Sequence, residues 1–154
     1  MPARSLLHKP QWAELIPHQG TMCLLDTVIA WNAERIVCTT HSHRRLDHPL
    51  RNDGILRAIH LCEYGAQAMA VHGGLLARAH GAVAKPGLLV SLRAVQLHLA
   101  RIDVLHDALI VEADKLLDSG ASWQYQFRVR HQDALLAQGR AIVMLMLDAA
   151  EKTG

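Results

Sequence analysis

The hydrophobic pattern of this chain changes its period several times, and each change marks a structural element. Residues 22–31, MCLLDTVIAW, are strand-forming, with Asp26 as the one charge. After the polar turn 32–35, residues 36–40 form a second strand rich in β-branched side chains. Residues 41–52 are polar and loop-like. The stretch 55–74, ILRAIHLCEYGAQAMAVHGG, is then apolar on nearly every side at 3.6 residues per turn, which predicts a buried helix. Asn52 and Asp53 offer cap-type side chains before it, and Gly73-Gly74 the left-handed conformation that would end it.

Past a turn signal at 84–87, residues 87–100 form a strand in which Val95, Leu97 and Leu99 alternate with Gln96 and His98. Leu109, Val111 and Ala113 alternate with Glu112 and Asp114 in the next, and Asp118-Ser119-Gly120 closes a hairpin. Trp123, Tyr125, Phe127 and Val129 then face one way, and Gln124, Gln126, Arg128 and Arg130 the other. That period of two marks a half-buried antiparallel strand. Residues 141–147 are apolar throughout, as befits a strand central in a sheet or at a dimer seam. Near the start, 12–17 makes one helical turn broken by Pro17, and 18–20 is a turn; the tail 148–154 reads as frayed. Two strands, one long buried helix and four strands give an α+β class: one domain over 1–154, with an antiparallel sheet curved around a central helix.

Composition excludes more than it reveals. At 51% hydrophobic and 19% charged, the chain is ordinary globular material. A net charge of +2 with 4% aromatics gives no case for nucleic-acid binding. Cys23, Cys38 and Cys62 lack metal-knuckle or disulfide spacing and read as small buried hydrophobes. The N-terminal stretch has no apolar core of signal-peptide length, and the central helix carries too many polar residues to span a membrane. The expectation is a soluble cytoplasmic protein.

The chemistry concentrates on the helix. Between Arg57 and Arg78 the only formal charge is Glu63, with His60 one turn before it and Gln67 one turn after, on about the same face. An ionised carboxylate in apolar surroundings is costly and is relieved by protonation or by a dedicated partner. Glu63 is thus a candidate acid with Gln67 to hold it; the alternative is a carboxylate without a role at a subunit seam.

Two motifs carry a resemblance. Residues 63–70, EYGAQAMA, resemble the Glu-x-x-Ala-Gln signature of β-hydroxyacyl-acyl-carrier-protein dehydratases. Leu15-Ile16-Pro17-His18 with Met22, Leu24, Leu25 and Asp26 resembles the opening of that family. The wording Glu-Tyr-x-Ala-Gln-Ala-x-Ala-x-His-Gly over 63–73 is most similar to the branch found beside polyketide-like pathways, such as those making aryl polyenes. The resemblance implies the hotdog fold and dehydration of 3-hydroxyacyl thioesters, with Glu63 as the acid and Gln67 as its support. His48 is the nearest match to the family's loop histidine, the base. Its gap to Glu63 is one residue longer than usual, Arg57-Ala58-Ile59 replaces the family's Pro-Gly-Val, and Pro49-Leu50-Arg51 follows the histidine.

In such a site a neutral histidine takes the C2 proton, a carboxylic acid protonates the departing C3 hydroxyl, and backbone N–H groups around Ala58 and Ile59 meet the charge on the thioester oxygen. His60 is the alternative base or a pocket-lining group, while His72 is expected at the helix end, where the dipole suits it. The resemblance implies a homodimer or higher oligomer, because the acid and the base come from different subunits. It also implies an acyl carrier protein partner with a 4′-phosphopantetheine-linked substrate, for which Arg44, Arg45, Arg51 and Arg57 offer a basic rim. No cofactor and no metal are expected; His41, His43, Asp47 and His48 are the one cluster with metal-type donors. Two other readings remain: a thioesterase in which Glu63 activates water, and a catalytically silent hotdog partner subunit.

Overall fold

In the computed structural model, which describes residues 6–82 and 87–145, a single helix lies against one antiparallel sheet. The strands are β1 (Leu7–His8), β2 (Thr27–Trp31), β3 (Arg35–Thr40), β4 (Gly87–Leu97), β5 (Leu109–Asp118), β6 (Ser122–His131) and β7 (Ala134–Leu145), in the spatial order β1-β2-β3-β5-β6-β7-β4. The helices are a short α1 (Lys9–Trp12) and the central α2 (Leu61–Ala79). The α+β class and the order of two strands, long helix and four strands are observed, with β1 and α1 added ahead of them and β2 starting at Thr27 where the sequence predicts a strand from 22. The turn at 84–86 and the tail fall outside the described residues.

The alternation in β6 is what fixes α2 on one side of the sheet. Tyr125, Phe127 and Val129 are buried with Val111 and Ala113 of β5, and they pack on the helix. On the opposite face charges pair across strands: Arg35 with Glu112 and Asp114, Arg128 with Asp114, and Arg130 with Glu112. The strand expected over 141–147 starts earlier, at Ala134, and runs between β6 and β4, which accounts for its apolar character.

The helix boundaries differ from expectation for packing reasons. Residues 56–57 are extended, with Ala58 N–H bonded to Ala100 O at 3.0 Å and Ile102 N–H to Leu56 O at 2.9 Å. A 3₁₀ turn, Ala58–His60, then leads into α2, and neither Asn52 nor Asp53 caps it. Gly73 and Gly74 do not end the helix. A Cβ on Gly73 would lie 2.5 Å from the Trp123 ring and one on Gly74 2.7 Å from Leu15, so these glycines admit neighbouring side chains. The left-handed residue that follows the helix is Gly81, at φ +69°. His72 is accordingly a core residue and not a helix-end one: its Nε2–H donates to Asn32 O at 2.8 Å and its Nδ1 accepts from the Tyr125 hydroxyl at 2.7 Å.

Strand β4 stands at the sheet edge. Leu88, Leu89, Val90 and Leu92 are 58, 40, 50 and 40% exposed, so both faces of this strand are bare and apolar. An edge of that length and character is a template for another chain.

Three buried histidines make stability depend on pH. Burial lowers His43 and His48 from 6.5 to about 4, and lowers His72 as well. An unfolded chain takes up these protons near pH 6.5 while the folded one resists until lower pH, so their stabilisation is complete above 6.5 and lost as pH falls. Urea midpoints measured from pH 7.5 to 4 are expected to fall most steeply between about 6.5 and 4. A midpoint flat across that interval contradicts the burial of neutral rings.

Candidate active site

Gln67 is the fixed point of the site. It is fully buried one turn beyond Glu63, and its amide oxygen accepts the Leu24 N–H at 2.8 Å. Its amide nitrogen donates to Met22 O at 2.7 Å and to Glu63 Oε1 at 3.1 Å. The segment ahead of β2 is thereby clasped to the helix, and the carboxyl group is tethered within the same set of bonds. A second nitrogen comes close to the same oxygen: His18 Nε2 stands 3.2 Å from Glu63 Oε1. The Glu63 side chain is one-third exposed, and these two partners replace the apolar isolation expected from the sequence.

Glu63 and His18 sit in the wall of a cavity of about 420 Å³. Its floor is the stripe Ala66, Met69, Ala70, Gly73 and Gly74 of α2, at the spacing of one helix face. Leu89 of β4, Trp123 of β6 and Val143 of β7 line it from the sheet. Small residues on the helix make room for this hollow, and Glu63 and His18 are its only titratable lining residues among those described.

His48, expected as the base, has a different part in this chain. Its ring is 4% exposed, Nδ1 accepts the Leu50 N–H at 3.1 Å, and Nε2 lies 3.0 Å from the Tyr64 hydroxyl. With Nδ1 used as an acceptor, the neutral ring carries its proton on Nε2 and donates it to Tyr64. Tyr64 in turn bonds Ser42 Oγ at 2.7 Å. Burial, joined by the charges of Arg51, His60 and Arg45, keeps the imidazole neutral, and burial pushes the Tyr64 phenol up to about 12. No lone pair of His48 is left for a substrate. Tyr64 follows Glu63 directly, so the two side chains leave the helix about 100° apart.

The other expected site residues also separate. The Ala58 N–H is committed to Ala100 O, which removes it as an oxyanion donor; Ile59, half exposed, makes no such bond among the described residues. The His60 ring has no hydrogen bond to Glu63. Of the basic rim, Arg51 is spent on the carbonyls of His43, Arg45 and Gly54, Arg45 pairs with Asp47, and Arg44 holds Leu105 O and His106. Arg57 alone of the four makes no side-chain bond among the described residues. His43 binds Leu105 O, Asp47 binds Arg45 and His48 binds Tyr64, so these donors do not converge on a metal position.

Comparison with known proteins gives the family. The family described as ApeP-like, ApeP dehydratase, matches residues 10–152. The chain belongs to the ApeP-like dehydratase family. Its fold is similar to that of the dehydratase heterocomplex ApeI:P from Xenorhabdus doucetiae, with a TM-score of 0.78 at 21% identity over 92% of this chain and 93% of that one. A thioesterase of Haemophilus influenzae (TM-score 0.60, 13% identity, 97% and 99% covered) and an uncharacterized protein of Pyrococcus horikoshii (0.59, 12%, 98% and 98%) share the hotdog architecture. No protein of curated function matches the sequence significantly.

Within this ApeP-like chain, sequence reasoning brought Glu63 and Gln67 together and missed His18, Tyr64 and Ser42. Tyr64 was visible in the Glu-Tyr-x-Ala-Gln wording and His18 in the Pro-His opening; what neither showed was which ring meets which helix face. Removing the Gln67 amide leaves the Leu24 N–H and Met22 O unpaired, at about 1–3 kcal/mol each. Gln67→Met is therefore expected to lower unfolding free energy by several kcal/mol in urea titrations, whereas Glu63→Gln, being part-exposed, shifts it little. Equal losses for the two variants contradict the clasp.

Proposed function

We propose that this protein dehydrates 3-hydroxyacyl thioesters carried on the 4′-phosphopantetheine arm of an acyl carrier protein, with Glu63 as the acid that protonates the departing C3 hydroxyl. The observation that carries this reading is the tethered Glu63 carboxyl at the wall of an apolar cavity. In that position the acid reaches a substrate whose acyl chain lies along the helix. An extended chain advances about 3.3–3.6 Å per three bonds. The helix stripe from Glu63 to Gly74 is about 16 Å long, room for an acyl chain of roughly a dozen atoms.

The imidazole beside Glu63 is that of His18, whose Nδ1 is sealed from solvent, and the imidazole of His48 is used up internally, so neither ring is free to remove the C2 proton. A second subunit completes the site. The bare β4 edge is the surface for it, and the locked His48 favours a different hotdog subunit over a second copy of this chain. A relative occurs as the heterocomplex ApeI:P, which supports the same choice. The Ile59 N–H at the helix entrance is the donor left to meet the thioester oxygen.

The test is loss of water from a 3-hydroxyacyl-acyl-carrier-protein, followed by mass spectrometry, with this chain alone and together with a second dehydratase subunit. Turnover is expected only with both, and Glu63→Gln lowers it about 10²–10⁴-fold. Equal rates for wild type and Glu63→Gln remove Glu63 from the chemistry. Release of free thiol with C2 and C3 unchanged makes the protein a thioesterase.

Cavity depth gives a separate expectation. In Gly73→Ala the new methyl displaces the Trp123 ring at the far end. The ratio of rates on twelve-carbon to six-carbon substrates is expected to fall about tenfold, in keeping with about two methylenes at about 0.8 kcal/mol each. An unchanged ratio places the acyl chain elsewhere.

A further inference from the structure

We infer that His18 is a positioning residue for Glu63, whose Nε2–H decides which carboxyl oxygen is presented to the cavity. This rests on the acid role proposed for Glu63.

Two nitrogens near that carboxyl group converge on one atom: Gln67 Nε2, hydrogen-bonded at 3.1 Å, and His18 Nε2, in contact at 3.2 Å from Oε1. Oε2 has no protein partner among the described residues. The tautomer of His18 follows from its other nitrogen, because Nδ1 is buried without a hydrogen-bond partner. A proton there is an orphaned buried donor, the costlier arrangement, and turns a lone pair on Nε2 toward the carboxyl oxygen. The ring is therefore the Nε2–H form and a donor to Glu63. Nδ1, sealed from solvent, cannot act as the base.

The ring sits on a braced segment. Pro17 restricts the backbone before it, and the turn after it is closed by Met22 N–H to Gln19 O at 3.2 Å and Cys23 N–H to Gly20 O at 3.1 Å. Gln67 clamps the far side of that turn, and Leu15 packs on Gly74. His18 thus approaches Glu63 from a frame fixed to the same helix.

The consequence is chemical. With two donors on Oε1, a protonated carboxyl group holds its hydrogen on Oε2, the oxygen free to give it to a C3 hydroxyl. The carboxyl torsion is soft, and with Gln67 as its only tether the group can turn and exchange its oxygens. Substrate binding along the apolar stripe does not involve that exchange, so the effect belongs in kcat.

The experiment uses the assembled dehydratase with a 3-hydroxyacyl-acyl-carrier-protein. His18→Leu is expected to lower kcat about 100-fold, the scale of a small misplacement of a reacting group, with KM within about twofold. His18→Gln, whose amide N–H can reach the same oxygen, restores most of the rate. ¹⁵N NMR of the wild-type His18 ring, which needs no turnover, is expected to show the Nε2–H tautomer. Full kcat in His18→Leu, no rescue by Gln, or an Nδ1–H tautomer overturns the inference. Glu63→Gln assayed in parallel separates the two claims. If it is inactive while His18→Leu is normal, only the positioning role falls; if it keeps wild-type activity, the acid role itself falls.

Discussion

A single buried amide clasps the segment ahead of β2 to the central helix. Gln67 sits inside the central helix, yet every bond of its side chain is spent outside the helix backbone: on Leu24, on Met22 and on Glu63. A polar group in a core is tolerable only when fully satisfied, and a fully satisfied one admits a single arrangement. The approach to the first long strand, the position of the acid and the placement of the His18 segment all follow from that constraint. Glu63 is a surface-accessible carboxylate in a fixed pose because its anchor is not at the surface.

A second polar chain, Ser42, Tyr64 and His48, performs the same service on a neighbouring face of α2. It ties the long loop before the helix to the helix itself. The histidine expected from the sequence as the base is thus part of the core, neutral and hydrogen-bonded at both nitrogens. The two faces divide the labour: one holds a loop, and the other presents an acid to an apolar hollow. The reading of an incomplete site follows from that division.

The sequence made the architecture legible because the governing signals are local periods. Alternation in β6 named its buried residues one by one, and the near-uniform apolarity of 55–74 named the central helix. Its ends were not legible, because Gly73 and Gly74 look the same in a sequence whether they terminate a helix or admit a Trp and a Leu side chain. The site was half legible. Glu63 and Gln67 share one helix, so their relation is a matter of counting residues. His18 reaches Glu63 across 45 positions of chain and His48 turns to Tyr64 instead of outward, and such orientations depend on tertiary packing that no spacing encodes.

The bare β4 edge bears on the life of the chain before assembly. Leu88, Leu89, Val90 and Leu92 present hydrophobic side chains beside unsatisfied ladder groups. Such a ribbon recruits whatever strand arrives first, whether the proper mate or another orphan. A copy whose β4 edge stays uncovered is therefore exposed to precipitation or proteolysis, a liability written into one strand.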